Sequence, residues 1–311
     1  MNFSFQRYLN AKRTVDDRAL NQAVWQNIAN QLRERDLNQP PRVLEVGAGT
    51  GTMLHRLVEW DALKRGTYLG IDSDPESIQA ALQNLPAWAE GQGLACIPAS
   101  DGFELSGREI QLRVSFQTRE VGEAAANPGK SGYDLLVASA FLDLVNPARL
   151  LPQLGKMMQP GGLGYFTINF DGVTVFEPQL DPGLDEKIIE LYHQSMDDRR
   201  MGGQFTGGSR TGRRLYHQLR DAGWKVLAAG ASDWVVHSVN GSYRADEAYF
   251  LNHLLHFFEE TLAGHAGLES NVFQAWLDAR RRQIETAGLF LVVHQLDYLA
   301  CWSPDGPHLL G

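Results

Sequence analysis

Residues 43–51 read Val-Leu-Glu-Val-Gly-Ala-Gly-Thr-Gly, and no other run limits the fold of this chain as tightly. Val43, Leu44 and Val46 make a short apolar run around Glu45, the pattern of a strand covered on both faces. Gly47, Gly49 and Gly51 alternate with Ala48 and Thr50 in a tight turn, and Thr52 to Trp60 has helical periodicity. Glycine suits a turn that needs positive φ and lets a ligand approach the backbone. A helix opening directly afterwards aims free N–H groups and its positive dipole end at an anion. Thr67 to Ile71 reads as the next strand and ends in Asp72. That acid lies about 20 residues past the glycines, where a carboxylate can accept both hydroxyls of a ribose. The order predicts a βαβ unit that binds a nucleoside-containing cofactor.

A dinucleotide fingerprint would need glycine where Thr52 stands. The pattern E-x-G-x-G-x-G instead resembles the first motif of the class I S-adenosylmethionine (SAM)-dependent methyltransferases. Met158-Gln159-Pro160-Gly161-Gly162, ahead of an apolar strand at Leu163–Asn169, is similar to a second feature of that family. The resemblance spans about residues 43 to 170. It implies an α/β, Rossmann-like fold: a seven-stranded, mostly parallel sheet with helices on both faces, closed by an antiparallel strand at Leu289–Ala300.

The resemblance also implies site residues. Glu45 would help hold the amino group of SAM, and Gly47, Ala48, Gly49 and Gly51 would face its methionine and ribose parts. Asp72 would take the ribose hydroxyls, and Ser73 would border the adenosine. An acid after the third strand would sit near the adenine: Glu120, followed by Val121, if that strand is Ile110–Phe116, or Asp101 if it is Leu94–Ile97. Ser139, closing the fourth strand at Tyr133–Ser139, would face the transferring methyl group. No N-P-P-Y-type tetrapeptide follows that strand, which weighs against a nucleic-acid substrate.

Composition points the same way. A net charge of −9 and a pI near 5.5 disfavour general affinity for nucleic acid or an acidic membrane. Two distant cysteines, Cys96 and Cys301, predict no disulfide scaffold and no cysteine zinc site. Without an apolar leader or membrane-span pattern, a cytoplasmic protein is expected.

Residues 1–40 read as an N-terminal helical lid, with a helix start at Thr14 and Asp16 and Asp17 in its first turn. Tyr8, Lys12, Arg13 and Arg18 are candidates to meet the SAM carboxylate or an acidic substrate. The remainder, 41–311, reads as the methyltransferase domain, with a hairpin insertion near 93–121 and a cap-like insertion near 171–212. Residues 201–208 are glycine-rich enough to suggest a mobile lid. Helices at 246–262 and 272–287 would either cover the sheet or form a homodimer, and Arg280-Arg281-Arg282 reads as a solvated helical face.

Methyl transfer from a sulfonium needs no protein nucleophile. Alignment contributes up to about 7–11 kcal/mol in favourable cases, and a hydroxyl or ammonium acceptor also needs a base. Asp143 and Asp171, after the fourth and fifth strands, and His193, in the insertion, are the candidate catalytic groups; no metal set is evident. Tyr192, Phe205, Trp234 and Tyr243 are candidates for an aromatic acceptor pocket. The expected function is methylation of a small molecule at O, N or C, with S-adenosylhomocysteine (SAH) as product. Methylation of protein or RNA, and a non-catalytic SAM- or SAH-binding regulator, are the alternatives.

Overall fold

The computed structural model describes residues 3–36, 39–126 and 132–304. The expected loop at 124–132 and the expected tail at 303–311 lie largely outside them. The chain opens with α1 (Phe5–Ala11), α2 (Arg13–Ala19) and α3 (Gln22–Asp36). α2 starts one residue before the expected Thr14, after a break at Lys12, with Asp16 in its first turn, and the Thr14 hydroxyl donates to Glu247.

β1 (Arg42–Val46), α4 (Thr52–Glu59), β2 (Arg65–Asp72) and α5 (Pro75–Gly91) form the expected βαβ unit. Its centre is dry because consecutive strand residues face opposite sides: Val43 enters one apolar core, Leu44 and Val46 the other. β3 (Ala95–Ala99) and β4 (Gly102–Gly107) form a hairpin beside β5 (Ile110–Thr118), and β5 is the strand parallel to β2. The chain continues through α6 (Val121–Ala126), β6 (Tyr133–Ser139), α7 (Pro147–Met157), β7 (Met158–Glu177) and α8 (Pro182–Asp198). A small hairpin, β8 (Arg200–Met201) and β9 (Gln204–Phe205), precedes α9 (Thr211–Asp221), β10 (Trp224–Ala231) and β11 (Trp234–Val236). Then come α10 (Glu247–Leu262), α11 (Ser270–Glu285) and β12 (Phe290–Trp302).

The main sheet has ten strands among the described residues, in the order β10-β12-β7-β6-β1-β2-β5-β4-β3, with β11 also paired to β12. Its parallel centre is β7-β6-β1-β2-β5. The expected seven strands are exceeded because the β3–β4 hairpin and β11 extend the sheet. β12 is antiparallel as expected, but it lies between β7 and β10.

β7 is much longer than the expected strand. β6 ends opposite Thr167, whereas β7 stays paired with β12 as far as Glu177 opposite Phe290. The two strands therefore leave the sheet as a ribbon, so 171–177 is strand rather than the start of a cap. α8 packs on this ribbon, and α10 packs on α1, α8 and α11. Within the glycine-rich segment, Arg200–Met201 and Gln204–Phe205 pair as a small antiparallel hairpin. Gly202 and Gly203 both take positive φ (56° and 78°), as a tight primed turn requires, and Asp197 accepts from Ser209 N and Oγ at 2.8 and 3.1 Å. Arg280 is not solvated: it is buried and pairs with Asp185 at 2.6 Å.

Candidate active site

A cavity of about 600 Å³ opens at the carboxyl ends of the parallel strands, under α1. This is where open parallel sheets place ligands. One half is built by the glycine turn and its neighbours. Gly47 and Gly49 line it with φ of 67° and 52°. A Cβ on Gly47 would lie 2.5 Å from the Phe141 ring, so the cradle has no room for a side chain. Asp72 Oδ2 accepts from Gly49 N at 2.8 Å and Oδ1 from Asp74 N at 2.9 Å. Each oxygen thus keeps lone-pair capacity toward the cavity, which suits a pair of ribose hydroxyls.

Ser73, Glu120, Val121 and Ser139 also line this half. Asp101 sits exposed at the β3–β4 turn, so Glu120 is the acid that the fold brings to the site. Ala48 and Gly51 of the same turn do not line the cavity, contrary to expectation: Ala48 is buried, and Gly51 caps α4 against Phe116. Glu45 does not reach the cavity. It is buried behind the turn, accepts the Tyr68 hydroxyl, and burial raises its pKa to about 8. The expected contact of Glu45 with a ligand amino group is thereby corrected. Tyr8 of α1 and Lys12 at the break after it line the cavity, whereas Arg13 pairs with Glu59 at 2.6 Å and Arg18 with Glu247 at 2.7 Å.

The other half is largely apolar, with Thr174, Arg199, Thr261 and Gln295 as further lining residues. Its walls are the inner face of the β7–β12 ribbon (Phe170, Phe176, Leu291, Val293), Tyr192 and Met196 of α8, Phe257 and Phe258 of α10, and Trp234. Tyr192 and Phe258 stack with ring centroids 3.9 Å apart. Of the expected aromatics, Phe205 and Tyr243 are elsewhere: Phe205 is exposed under Arg200, and the Tyr243 hydroxyl donates to Leu289 O.

Asp143 lines the junction of the two halves. Burial raises its pKa, opposed by the charges of Arg199 and Lys12. Burial likewise raises Tyr8, and it lifts Tyr192 to about 12; both phenols feel the Asp143 charge. Asp171 and His193 do not line the cavity. Asp171 follows Phe170 on a strand and so points the other way, where it accepts from Arg213 N and Nε at 2.7 and 2.9 Å. His193 Nε2 lies 3.1 Å from Thr174 Oγ1, its ring edge-on to Phe170, and burial lowers its pKa. The sequence reasoning missed Phe176, Phe257, Phe258 and Gln295. The one available signal was period-two alternation: Leu291, Val293 and Gln295 share a face of β12.

The chain belongs to the methyltransferase domain family, whose model matches residues 17–229. It is a SAM-dependent methyltransferase, and the glycine turn with Asp72 offers the polar groups that such a cofactor needs. No curated protein matches the chain significantly. Among solved structures it is similar to a SAM-dependent methyltransferase from Methanosarcina mazei (13% identity, 87% of this chain and 96% of that one, TM-score 0.44). It is also similar to the cyclopropane synthase MmaA2 from Mycobacterium tuberculosis (10%, 92% and 86%, TM-score 0.43). A third is a phosphoethanolamine N-methyltransferase from Haemonchus contortus (12%, 97% and 61%, TM-score 0.42), solved with phosphomonomethylethanolamine and SAH.

Proposed function

We propose that this methyltransferase acts on a small, largely apolar acceptor carrying a hydroxyl or amine, with Asp143 as the group that takes its proton. The observation behind the reading is one continuous cavity. It runs from Asp72 and Glu120 at the polar end, past Asp143, into a chamber walled by aromatic and aliphatic side chains.

Gly47, Gly49, Asp72, Ser73, Glu120, Val121 and Ser139 are assigned to hold SAM. When bound, SAM supplies an electrophilic methyl group. The chain's own contribution is to orient the acceptor between α8, α10 and the ribbon, to exclude water with apolar walls, and to hold a proton acceptor at the junction. A carboxyl whose pKa is raised is better matched to general-base work near neutral pH than an exposed one. Chamber size, and walls with little net charge, favour a small molecule over protein or RNA.

The test is SAH release from SAM on addition of fractionated cell extract. Activity with the organic-soluble fraction is expected, and activity only with the protein or RNA fraction would sink the small-molecule reading. Asp143→Asn should lower kcat about 10²-fold or more, the usual scale for a lost general base, while leaving the SAM Kd unchanged. Unchanged kcat would remove Asp143 from the mechanism.

A further inference from the structure

We propose that Gln295 recognises a hydrogen-bonding group on the acceptor beside the atom that is methylated, and that the acceptor's remaining body is uncharged and apolar. This rests on the apolar half of the cavity being the acceptor site.

The ribbon sets the order of the side chains. Thr167 pairs with Ser139, so the start of the free ribbon adjoins the end of the sheet where the cofactor half lies. Moving outward along the ribbon, Gln295 pairs with Phe170, Val293 with Thr174 and Leu291 with Phe176. A register shift between Val293 and Gln295 keeps all six residues on the cavity wall. The row nearest the cofactor therefore carries an amide. The outer rows carry only apolar side chains and the Thr174 hydroxyl, which is already engaged with His193.

Gln295 is an unusual wall residue. It is 2% exposed, and its carbonyl Oε1 is buried without a partner. Its backbone is committed, N–H to Asp233 and C=O from Ser232 N at 2.9 Å. Its side-chain amide makes no hydrogen bond to the protein among the described residues. A buried amide left in this state is costly unless a ligand completes it. A site with such a group discriminates strongly against a ligand lacking the matching polar atom. In the outer rows the logic reverses: a charged substituent packed against Val293, Leu291 and Phe176 would lose its hydration.

The test uses four compounds titrated calorimetrically into SAH-saturated protein: 2,3-dihydroxynaphthalene, 2-naphthol, catechol and 6,7-dihydroxynaphthalene-2-sulfonate. The diol presents two adjacent hydroxyls on a bicyclic body, naphthol lacks the second hydroxyl, catechol lacks the second ring, and the sulfonate charges the far end. The diol should bind about tenfold more tightly than each of the other three. In Gln295→Leu the preference for the diol over naphthol should vanish while SAH affinity stays at the wild-type value, which shows that the variant is folded. A preference that survives in Gln295→Leu overturns the inference, as does a sulfonate that binds as well as the diol. Failure of all four to bind SAH-loaded protein also overturns it and leaves the cofactor assignment standing. Failure of SAH itself to bind would strike the cofactor assignment, and this inference with it.

Discussion

Asp297 Oδ1 accepts the backbone N–H of Ile168 at 2.8 Å. Ile168 has φ of 55°, a left-handed conformation that a β-branched side chain adopts only under constraint. The same carboxylate accepts from Asn21 N at 2.9 Å, and Asn21 in turn accepts from Val24 N in the first turn of α3. One buried acid thus ties the N-terminal helices to the point where β7 leaves the sheet. Ile168 lines the cavity just there, so the link helps to shape that cavity.

Asp297→Asn should destabilise the protein at neutral pH by about 1–3 kcal/mol, because one amide oxygen cannot replace both carboxylate oxygens as acceptors. Burial raises the Asp297 pKa to about 6 from 3.8. A carboxyl with a raised folded pKa contributes stability that is fully present below the unfolded value. That contribution is lost as pH rises to about 6, since the unfolded chain releases its proton first. Urea unfolding from pH 3.8 to 7 should show the wild type losing this increment while the variant does not. Parallel curves would remove Asp297 as the titrating group.

Glu45→Gln provides a second pH test with the same sign. With a folded pKa near 8 against 4.5, Glu45 costs stability progressively as pH rises from 4.5 through 8. Gln keeps an acceptor for the Tyr68 hydroxyl and carries no proton to lose. The variant should gain on the wild type across that window in thermal unfolding, with SAM affinity unchanged because Glu45 does not touch the cavity. A large loss of SAM affinity would restore the ligand contact that the family resemblance implies.

Asp72→Ala should weaken SAM and SAH binding at least tenfold, on the scale of a charge-assisted hydrogen bond. Calorimetric titration reads this directly, and an unchanged Kd would remove Asp72 from the ribose site.

Gly47→Ala combines a strained φ of 67° with a Cβ 2.5 Å from Phe141. A stability loss of about 1–3 kcal/mol, measured by urea unfolding, is expected together with weaker SAM binding. Wild-type stability would mean that the turn relaxes to accept a side chain.

The glycine-turn half of the cavity was legible because its signals are local. Gly47, Gly49 and Asp72 sit at spacings that only a strand, turn, helix and strand can satisfy, and backbone geometry carries their function. The choice between Asp101 and Glu120 needed the pairing of β5 with β2, which no local pattern contains. Asp171 and His193 were credible by position along the chain, yet neither lines the cavity: Asp171 turns to Arg213, and His193 packs behind Phe170 and Thr174. A strand reverses its side chains every residue, and a helix turns them by about 100°.

The sequence by itself determined the parallel centre of the sheet and the glycine cradle, because periodicity and glycine placement constrain the backbone over short range, and the resemblance of its motif gave the class of cofactor. Tertiary structure decided the apolar half of the cavity. Tyr8, Asp143, Tyr192, Trp234, Phe258 and Gln295 come from α1, the turn after β6, α8, β11, α10 and β12. They meet only because β7 and β12 remain paired beyond the sheet, and strand register and bulges then set which side chains point inward.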